Sequence, residues 1–561
     1  MVQNNKPQPK FSNKKVLGKK TPVQPLSKKE NATLFNTLDK WISGNSKMLL
    51  IITLSVSILF SFLLFQARMD IGGDDSGYVL RAYDFIHKGI FPSFQGPLYP
   101  IFLSIFVSFL GINVVFLKVL SVVSNFISLL FLYRAFRNRI PSFTLYSVLL
   151  ITAVNSYILT FASETYSEIF FMALQSIFLF CFFNLLDKIK NNNNLTLKES
   201  WKSWLWVGLI AFLMSAARSV GIMTIGALIL YLALQKQYKY ILYAIGAFLV
   251  FYIPVNFIEK IIWHAQSQFG AQGSEYLLKN PYSTADGYEN FNGFVMRFLQ
   301  NCNLYLSKRF FQILGLRSFD ATDTITGLTF IFISIFLVSI YRVIKTKNQY
   351  LLASSVYALC LTGITFILLQ VQWDQPRLIM VFVPLYLLLF VYGLQDILKR
   401  TPWGIQFLSV FAIIIIMIIQ FDNTFKKAGQ NLPVLGKNLH GDIYYGFSPG
   451  WTNYLKLSNW CEGLPKDSLV ACRKGPMSSV YANGREFLNI AKTDNIDVSN
   501  ADSVISFFKK NHVRYIILAN INMGNTIERL VAPIAQKYPQ KLRVIKQEGT
   551  MDEAQLVELL Y

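Results

Sequence analysis

Long apolar runs, separated by short polar segments, dominate the chain between residues 47 and 420. A helix needs roughly 20 mainly apolar residues to cross a bilayer, and it satisfies its own backbone hydrogen bonds there. The pattern predicts eleven spans, at residues 48–66, 112–133, 143–162, 169–186, 204–217, 220–234, 240–257, 325–340, 351–371, 378–392 and 405–420. The predicted fold class is therefore a polytopic α-helical membrane protein.

Short segments rich in Lys and Arg separate the apolar runs and indicate how the spans are oriented. Cytoplasmic loops carry an excess of these residues. Five basic segments are therefore expected in the cytoplasm, at residues 134–139, 188–190, 236–239, 342–347 and 399–400. The exoplasmic face then receives residues 67–96, residues 163–168, the turn at Arg218, the long loop 258–323, residues 372–377 and everything after residue 421.

One further apolar run, at residues 97–110, begins GPLYP and does not fit this alternation. A full crossing would place the basic segment 134–139 on the wrong side. The run is also shorter than a usual span, which favours a re-entrant or interfacial helix. A count of twelve or thirteen spans stays open if the charge rule fails at one loop.

The two flanks of the membrane part are of ordinary polarity. Residues 1–46 are rich in Lys, Pro, Asn and Ser, which predicts a disordered cytoplasmic tail. Residues 421–561 alternate strand-like runs such as VRYIILA with helix-like runs such as NTIERLVAPIAQKY, which predicts a small exoplasmic α/β domain. Cys461 and Cys472 form a disulfide if that domain is exported, or else they stay buried free thiols.

The composition agrees with a membrane protein, since 53% of the residues are hydrophobic and 15% are charged. The net charge of +22 is dispersed over the tail and the short loops. That distribution is typical of contact with anionic membrane lipids and argues against a nucleic-acid partner. The Lys-rich and Asn-rich loops favour a bacterial inner (plasma) membrane, with the N terminus cytoplasmic and the C-terminal domain periplasmic or extracellular.

Two adjacent carboxylates, Asp74 and Asp75, follow a Gly-Gly turn directly after the first span. An Asp at a helix start satisfies free backbone N–H groups and needs no catalytic role. Paired acids at a membrane surface also suit an exoplasmic transferase, in which one acid takes a proton from the acceptor and the other binds a metal or orients the site. The residues alone leave both interpretations open.

Four motifs follow one another along the membrane part. The first is an acidic pair with a Tyr, followed by an Ala-containing helix, a Gly and a Pro-Leu-Tyr, in GDDSGYVLRA, KGIFP and GPLYPIFL. The second is a Ser-Glu motif, in FASETYSEIFF. The third is a span that ends in a basic residue, in VGLIAFLMSAARSVGI, and the fourth is an Arg before a Pro-containing span, in WDQPRLIMVFVPLYLLL. In this order they resemble the GT-C glycosyltransferases that use polyprenyl-phosphate-linked sugars. That group contains the protein O-mannosyltransferases and the lipid A aminoarabinose transferase.

The resemblance implies roles for the charged motif residues. Asp74 is implied as the general base that deprotonates the acceptor, with Asp75 as the second candidate. Arg218 and Arg377 are implied to bind the lipid phosphate, and a guanidinium group suits that role. The alternative for each Arg is snorkelling or a structural ion pair with Asp374 or a nearby Glu.

Further motif positions are implied to bind substrate. Glu168 is favoured over Glu164 for the Ser-Glu position because an apolar run follows it, although either residue could cap that helix. Tyr78 and Tyr99 belong to the first motif and are also implied to bind substrate. All four side chains are expected on the exoplasmic face.

Metal binding is less clearly implied. In the aminoarabinose transferase group a Glu-Lys pair contributes to metal and phosphate binding, and this chain has FQG there, at residues 94–96. A divalent metal ion is therefore left open as a cofactor. His264 is a candidate ligand for a metal or the acceptor, although a lone His is more often structural. Three aromatic residues either stack on sugar or form an interfacial belt: Trp263, Tyr282 and Tyr288.

The resemblance implies an inverting glycosyltransferase that moves a hexosyl or pentosyl group from a polyprenyl-phosphate donor. The acceptor is a glycan, a lipid or a protein on the exoplasmic face. The chain has no phosphate-binding Gly loop, which agrees with a donor that is not a nucleotide sugar. The alternatives are a lipid-linked saccharide transporter or flippase, since intramembrane charges also mark substrate paths, and a surface-polysaccharide polymerase or ligase. Transporters usually show paired halves, and this sequence contains no internal repeat.

Overall fold

The structure, a computed structural model, consists of a helical membrane part followed by a smaller α/β part. It describes residues 33–192, 195–265, 273, 275–281, 283–491, 493 and 496–561. Within these ranges, seven helices are long and apolar enough to cross a membrane. The polytopic helical fold class is confirmed, whereas the count of eleven spans stays a prediction because several other apolar helices are shorter.

The membrane part is built from helices because apolar stretches in lipid must satisfy their own backbone hydrogen bonds. In chain order these helices are α1 (Leu34–Gly44), α2 (Ser46–Leu63), α3 (Asp74–Lys88), α4 (Leu98–Leu110), α5 (Val114–Phe136), α6 (Ser142–Ala153), α7 (Ser156–Phe161), α8 (Ser167–Asn191), α9 (Leu197–Ala217), α10 (Met223–Leu234), α11 (Tyr238–Trp263), α12 (Phe291–Leu304), α13 (Phe310–Ile313), α14 (Thr326–Thr346), α15 (Gln349–Leu368), α16 (Arg377–Met380), α17 (Val383–Leu398) and α18 (Trp403–Leu439). A hairpin of β1 (Leu278–Asn280) and β2 (Ser283–Tyr288) precedes α12.

The helix α1 corrects the predicted tail, which was expected to be disordered up to residue 46. The hydroxyl of Thr33 accepts a hydrogen bond from the backbone N–H of Asn36 and caps the helix. Phe35 and Ile42 are buried, and the ring of Phe35 lies 5.4 Å from that of Phe143. A few apolar residues at helical spacing were enough to dock this segment, which the average composition did not reveal.

The polar loops gather at two opposite ends of the helical bundle. Asp187 pairs with Arg139 at 2.5 Å, and the amide of Asn348 donates to the Arg139 carbonyl, so loops predicted to share the cytoplasmic side do lie together. Glu168, at the other end of α8, lies about 28 Å away along the helix axis. We call this second end, which carries α3, the α3 end. Which end faces the cytoplasm stays a prediction.

The short helix α4 lies at the α3 end along its whole length. The ring of Phe102 stacks on Phe170 near the start of α8, and that of Phe106 packs on Phe116 near the start of α5. Both α5 and α8 begin at the α3 end. At 13 residues, α4 is only about 20 Å long. This arrangement agrees with a re-entrant or interfacial helix.

The last membrane helix, α18, runs to Leu439, so the second part of the chain does not begin at residue 421 as predicted. Polar residues appear after that point, but they continue the helix, as the ion pair between Lys426 and Asp422 one turn apart shows. Asn431 donates to the carbonyls of Leu63 and Phe65. The change in composition therefore marks where the helix leaves the apolar zone and not where it ends.

A mixed five-stranded sheet forms the α/β part, in the order β4-β3-β5-β7-β6. Strands β4, β3 and β5 are parallel, and β7 and β6 complete the sheet in antiparallel fashion. The strand-like run VRYIILA and the helix-like run NTIERLVAPIAQKY both form as the sequence predicted. In chain order the elements are α19 (Pro449–Trp460), β3 (Leu469–Cys472), α20 (Gly475–Tyr481), β4 (Phe487–Asn489), α21 (Ala501–Lys510), β5 (Val513–Ala519), α22 (Thr526–Lys537), β6 (Leu542–Glu548) and β7 (Ala554–Leu559).

The two cysteines of the α/β part, Cys461 and Cys472, are buried and not joined. The hydroxyl of Ser478 lies 3.6 Å from the Cys472 sulfur. Burial raises the pKa of the Cys461 thiol to about 12. The structure thus has the free-thiol alternative of the two that the sequence left open.

Candidate active site

The segment after α2 makes a tight turn and then enters α3. Gly73 has a φ of +90°, a left-handed conformation that residues with a Cβ rarely adopt. The turn places Asp74 at the first position of α3, with its side chain 38% exposed. The Asp74 carboxylate forms an ion pair with Arg377. The first acid of the pair is therefore accessible and held in place.

Asp75 has a different environment, because its side chain is fully buried. Its two carboxylate oxygens accept the backbone N–H groups of Asp70, at 2.7 Å, and Ser76, at 2.6 Å. Burial raises the pKa of Asp75 to about 6, against the opposing effect of the Lys118 ammonium. These contacts hold the turn, whereas the N-cap position of α3 is taken by Gly73 and by neither Asp.

The two predicted arginines converge on one carboxylate. Arg218 follows α9, and its Nη1 lies 2.7 Å from Glu168 Oε1 and 3.1 Å from the hydroxyl of Ser167. Arg377 begins α16, and its Nη1 lies 3.7 Å from the same Glu168 oxygen. The Arg377 guanidinium also sits 4.5 Å from the ring centre of Tyr166. Two acids and two arginines form one connected row, which we call the charged row: Asp74, Arg377, Glu168 and Arg218.

The second oxygen of Glu168, Oε2, is buried and has no hydrogen-bond partner. The side chain is only 2% exposed. A buried polar atom without a partner costs free energy, and native structures usually supply one from protein, water or ligand. The oxygen is therefore ready to accept a hydrogen bond from a bound molecule.

Of the two predicted tyrosines, Tyr78 lies at this row. Its hydroxyl is 2.8 Å from that of Ser167, which also accepts from Arg218. Tyr99 is buried beneath, with its ring 5.2 Å from that of Tyr78 and its hydroxyl 3.4 Å from that of Ser121. Tyr78 is thus linked to the charged row, and Tyr99 supports it by packing.

Glu164 is not part of this row, and it is buried against Lys118. The Lys118 ammonium contacts both the Glu164 carboxylate and the carbonyl of Arg68. Burial raises the pKa of Glu164 to about 8, and the charge of Lys118 opposes the rise. Glu168, and not Glu164, is the acid beside both arginines. The sequence analysis missed Lys118, although a lysine inside an apolar run is a recognised sign of function.

The remaining candidates are not part of the charged row. His264 directly follows α11, next to Trp263. The ring of Trp263 packs 5.9 Å from that of Phe85. Phe85 lies about 16 Å along α3 from Asp74, so His264 is far from the charged row. Tyr288 is largely exposed in β2, and Tyr282 lies outside the described residues.

The alternative ion pair with Asp374 is not formed by Arg377, whereas a nearby Glu, Glu168, does lie within ion-pair distance of both Arg218 and Arg377. Asp374 pairs instead with Lys308, at 3.0 Å, and with Arg309, at 2.5 Å. These contacts fix the turn that precedes α16. Arg377 is thus left to Asp74 and Glu168.

The donor set does not fit a divalent metal ion. Over the ranges that the structure covers, no three His, Cys, Asp or Glu side chains form a group that could hold one. The acids near the turn are each engaged separately: Asp74 with Arg377, Asp75 with backbone N–H groups, Glu164 with Lys118, and Glu168 with Arg218. Hard cations need several free oxygens that point to one place.

Comparison with known proteins bears on the fold. No family model and no curated protein sequence matches the chain. The solved structure of ArnT from Cupriavidus metallidurans bound to undecaprenyl phosphate has a TM-score of 0.58 at 11% identity, over 91% of this chain and 97% of that one. The archaeal oligosaccharyltransferase AglB from Archaeoglobus fulgidus, in complex with an inhibitory peptide and a dolichol-phosphate, has a TM-score of 0.54 at 14% identity, over 88% and 72%.

At sequence identities this low, similarity to a solved structure is evidence of a shared fold. It extends over most of both chains. Both neighbours are GT-C glycosyltransferases. The chain therefore has the same membrane fold as these two structures, as the motif resemblance implied.

Proposed function

We propose that the protein is a membrane glycosyltransferase that moves a sugar from a polyprenyl-phosphate donor to an acceptor hydroxyl at the α3 end. The row of Asp74, Arg377, Glu168 and Arg218 carries the proposal, because it joins a reachable acid to two guanidinium groups. The bound dolichol-phosphate and undecaprenyl phosphate named for the structural neighbours support a donor of this class.

Arg218 and Arg377 are proposed to bind the donor phosphate. Each guanidinium carries five N–H donors, and its carboxylate partners occupy only some of them. Arg377 Nη1 is 3.7 Å from Glu168, beyond hydrogen-bonding distance, so it is available to a phosphate oxygen. The positive charges stabilise the leaving phosphate as the bond to the sugar breaks.

Asp74 is proposed as the general base, and its partial exposure favours it over the buried Asp75. The acceptor oxygen attacks the anomeric carbon while its proton passes to Asp74. The bond from the anomeric carbon to the phosphate oxygen breaks, and polyprenyl phosphate leaves from the opposite face with inversion. Glu168 Oε2 is placed to accept a hydrogen bond from a hydroxyl of the bound sugar.

The test is transfer by the purified full chain in nanodiscs. A set of undecaprenyl-phosphate hexoses and pentoses is supplied with candidate acceptors, and released undecaprenyl phosphate and glycosylated product are measured. Loss of the general base in Asp74→Asn is expected to lower the rate by about 10²–10⁴-fold. Arg218→Ala is expected to weaken donor binding. Asp442→Asn is the control, because Asp442 is exposed and lies outside the charged row.

Unchanged transfer in both Asp74→Asn and Arg218→Ala would overturn the proposal. Movement of the lipid-linked sugar across the bilayer without transfer in the parent protein would also overturn it, in favour of a flippase. Retention of activity in Asp442→Asn, with loss in the other two variants, would support the proposal.

A further inference from the structure

A cleft of about 400 Å³ lies between the membrane part and the α/β part. One wall is the first half of α3 with Phe94 and Gln95, and the other wall is the segment from Arg473 to Met477 together with Asn489. Asp74 lines the same cleft. A molecule in the cleft would therefore reach the proposed base from the side of the α/β part.

Three cations line this cleft: Arg81, Arg473 and Lys474. Arg81 donates to the carbonyls of Gly77 and Phe94 and to the Gln95 side chain. Arg473 donates to the Met523 carbonyl. All these acceptors are neutral.

Lys474 joins the two parts of the chain. Its ammonium donates to the carbonyls of Ile71, at 3.2 Å, and Gly72, at 3.1 Å, in the turn that precedes Asp74. Burial lowers the pKa of Lys474, and the neighbouring charge of Arg473 adds to that effect. An ammonium so placed is more stable when an anion is close.

The acids of the cleft attract Arg81 and Lys474 from a distance but form no ion pair with them. Asp74 pairs with Arg377 and Asp84 with Lys88. Throughout the described chain, no carboxylate lies within ion-pair distance of Arg81, Arg473 or Lys474. Elsewhere in the α/β part, Glu558 does pair with two arginines, Arg514 and Arg543. The cleft thus contains three positive charges with only neutral partners.

We infer that the acceptor carries a phosphate group and that the cleft binds it through Arg473 and Lys474, with Arg81 behind them, so that the accepting hydroxyl faces Asp74. This inference rests on the proposed function, since it names the acceptor class for that site. Three charges suit a phosphate better than a singly charged carboxylate, because guanidinium and ammonium groups can share its oxygens. The donor phosphate is assigned to Arg218 and Arg377, so the two phosphates approach Asp74 from different sides.

The test measures binding by titration calorimetry on the full chain in a non-ionic detergent. Glycerol 3-phosphate represents a soluble phosphate ester, and dihexanoyl phosphatidylglycerol represents a lipid headgroup. Glycerol and dihexanoyl phosphatidylcholine are the uncharged and zwitterionic comparisons. The variant Arg473→Gln/Lys474→Met is compared with Lys509→Gln/Lys510→Met, which loses the same charge at exposed positions of α21.

At least one phosphate probe is expected to bind the parent protein and to bind Arg473→Gln/Lys474→Met about tenfold more weakly or worse. Binding of the soluble ester assigns a soluble or glycan-borne phosphate, and binding of phosphatidylglycerol alone assigns a lipid headgroup. The inference is overturned if neither probe binds, if the variant binds as the parent does, or if the Lys509→Gln/Lys510→Met control loses as much affinity.

The same titrations separate this inference from the proposed function. Undecaprenyl phosphate binding is expected to survive in Arg473→Gln/Lys474→Met and to weaken in Arg218→Ala. If the cleft binds phosphate through Arg473 and Lys474 but the parent transfers no sugar, the proposed function fails and the phosphate site stands.

Discussion

At the scale of single residues, the contacts of a buried lysine explain how the turn before α3 is held. Lys118 is fully buried in α5 and contacts both Glu164 and the carbonyl of Arg68. A buried carboxylate without a cation is strongly unfavourable when charged. Lys118 therefore links the start of α5 to the segments on either side of the proposed site.

Lys118→Met is expected to destabilise the protein increasingly as the pH rises. Burial raises the pKa of Glu164 from 4.5 to about 8, so the folded chain retains a proton that the unfolded chain has released. The unfolding free energy of the parent should then be highest below about pH 4.5 and fall as the pH rises through about 8. In Lys118→Met the loss above pH 8 should reach about 3–5 kcal/mol. Denaturant unfolding in mixed micelles measures it.

Glu164→Gln is the partner experiment. This substitution should flatten the pH dependence of the unfolding free energy between pH 4.5 and 8, both in the parent and in Lys118→Met, because it removes the titrating group. An unchanged slope in Glu164→Gln would assign the pH dependence to another group, such as Asp75.

A second residue-scale prediction concerns Glu168. Glu168→Gln keeps the shape of the side chain but removes the charge that Arg218 and Arg377 share. Arg377 then keeps Asp74 as its partner but Arg218 loses its carboxylate, and we expect a loss of about tenfold or more in transfer rate together with about 3–5 kcal/mol of stability. Glu462→Gln, at an exposed position of the α/β part, is the control. Equal rates in the two variants would contradict a role for Glu168.

At the scale of elements, α3 is bounded by a glycine of positive φ at each end, Gly73 at +90° and Gly89 at +66°. A Cβ at Gly73 would lie 3.3 Å from the ammonium of Lys474, whereas one at Gly89 would meet nothing within 4 Å. The two glycines thus impose similar backbone strain in different surroundings. This difference permits a matched test of how the turn positions Asp74.

Gly73→Ala and Gly89→Ala should each cost about 1 kcal/mol of stability, since both force an Ala into the left-handed region. Only Gly73→Ala should also lower transfer markedly, because it displaces the turn that carries Asp74 and pushes Lys474 away. Thermal unfolding and transfer rates of the two variants give the comparison. Equal activity losses would mean that α3 responds as a whole and that the turn has no special role.

At the scale of the whole molecule, the placement of α4 determines on which side of the membrane each later loop lies. Its rings contact the starts of both α5 and α8, which lie at the α3 end. We expect a helix so placed to add no crossing, so that residues before and after it lie on one side. The arrangement keeps the proposed site and the α/β part together.

Labelling of single cysteines tests this arrangement in a background without the native five. Lys88→Cys, before α4, and Asn113→Cys, after it, should both react with a membrane-impermeant maleimide from the same side. Lys347→Cys, beyond α14, should react only from the other side. All three positions are exposed. Labelling of Lys88→Cys and Asn113→Cys from opposite sides would show that α4 crosses.

The sequence by itself determined the membrane class, most helix positions and the strands of the α/β part, because hydrophobic periodicity reports directly on burial in lipid or in a sheet. Motif order also indicated Asp74, Arg218, Arg377 and Glu168, which the structure brings into one row. Their functional roles stay predictions.

Tertiary structure alone decided which acid faces which cation. Asp74 and Asp75 are adjacent in the chain, yet one lines a cleft and the other is buried in a turn. Only the packed chain brings Arg377 to Asp74 across about 300 residues, and a single sequence contains no local signal for such a contact. The physical reason is that periodicity encodes the surroundings of one element, whereas ion pairing depends on where distant elements meet.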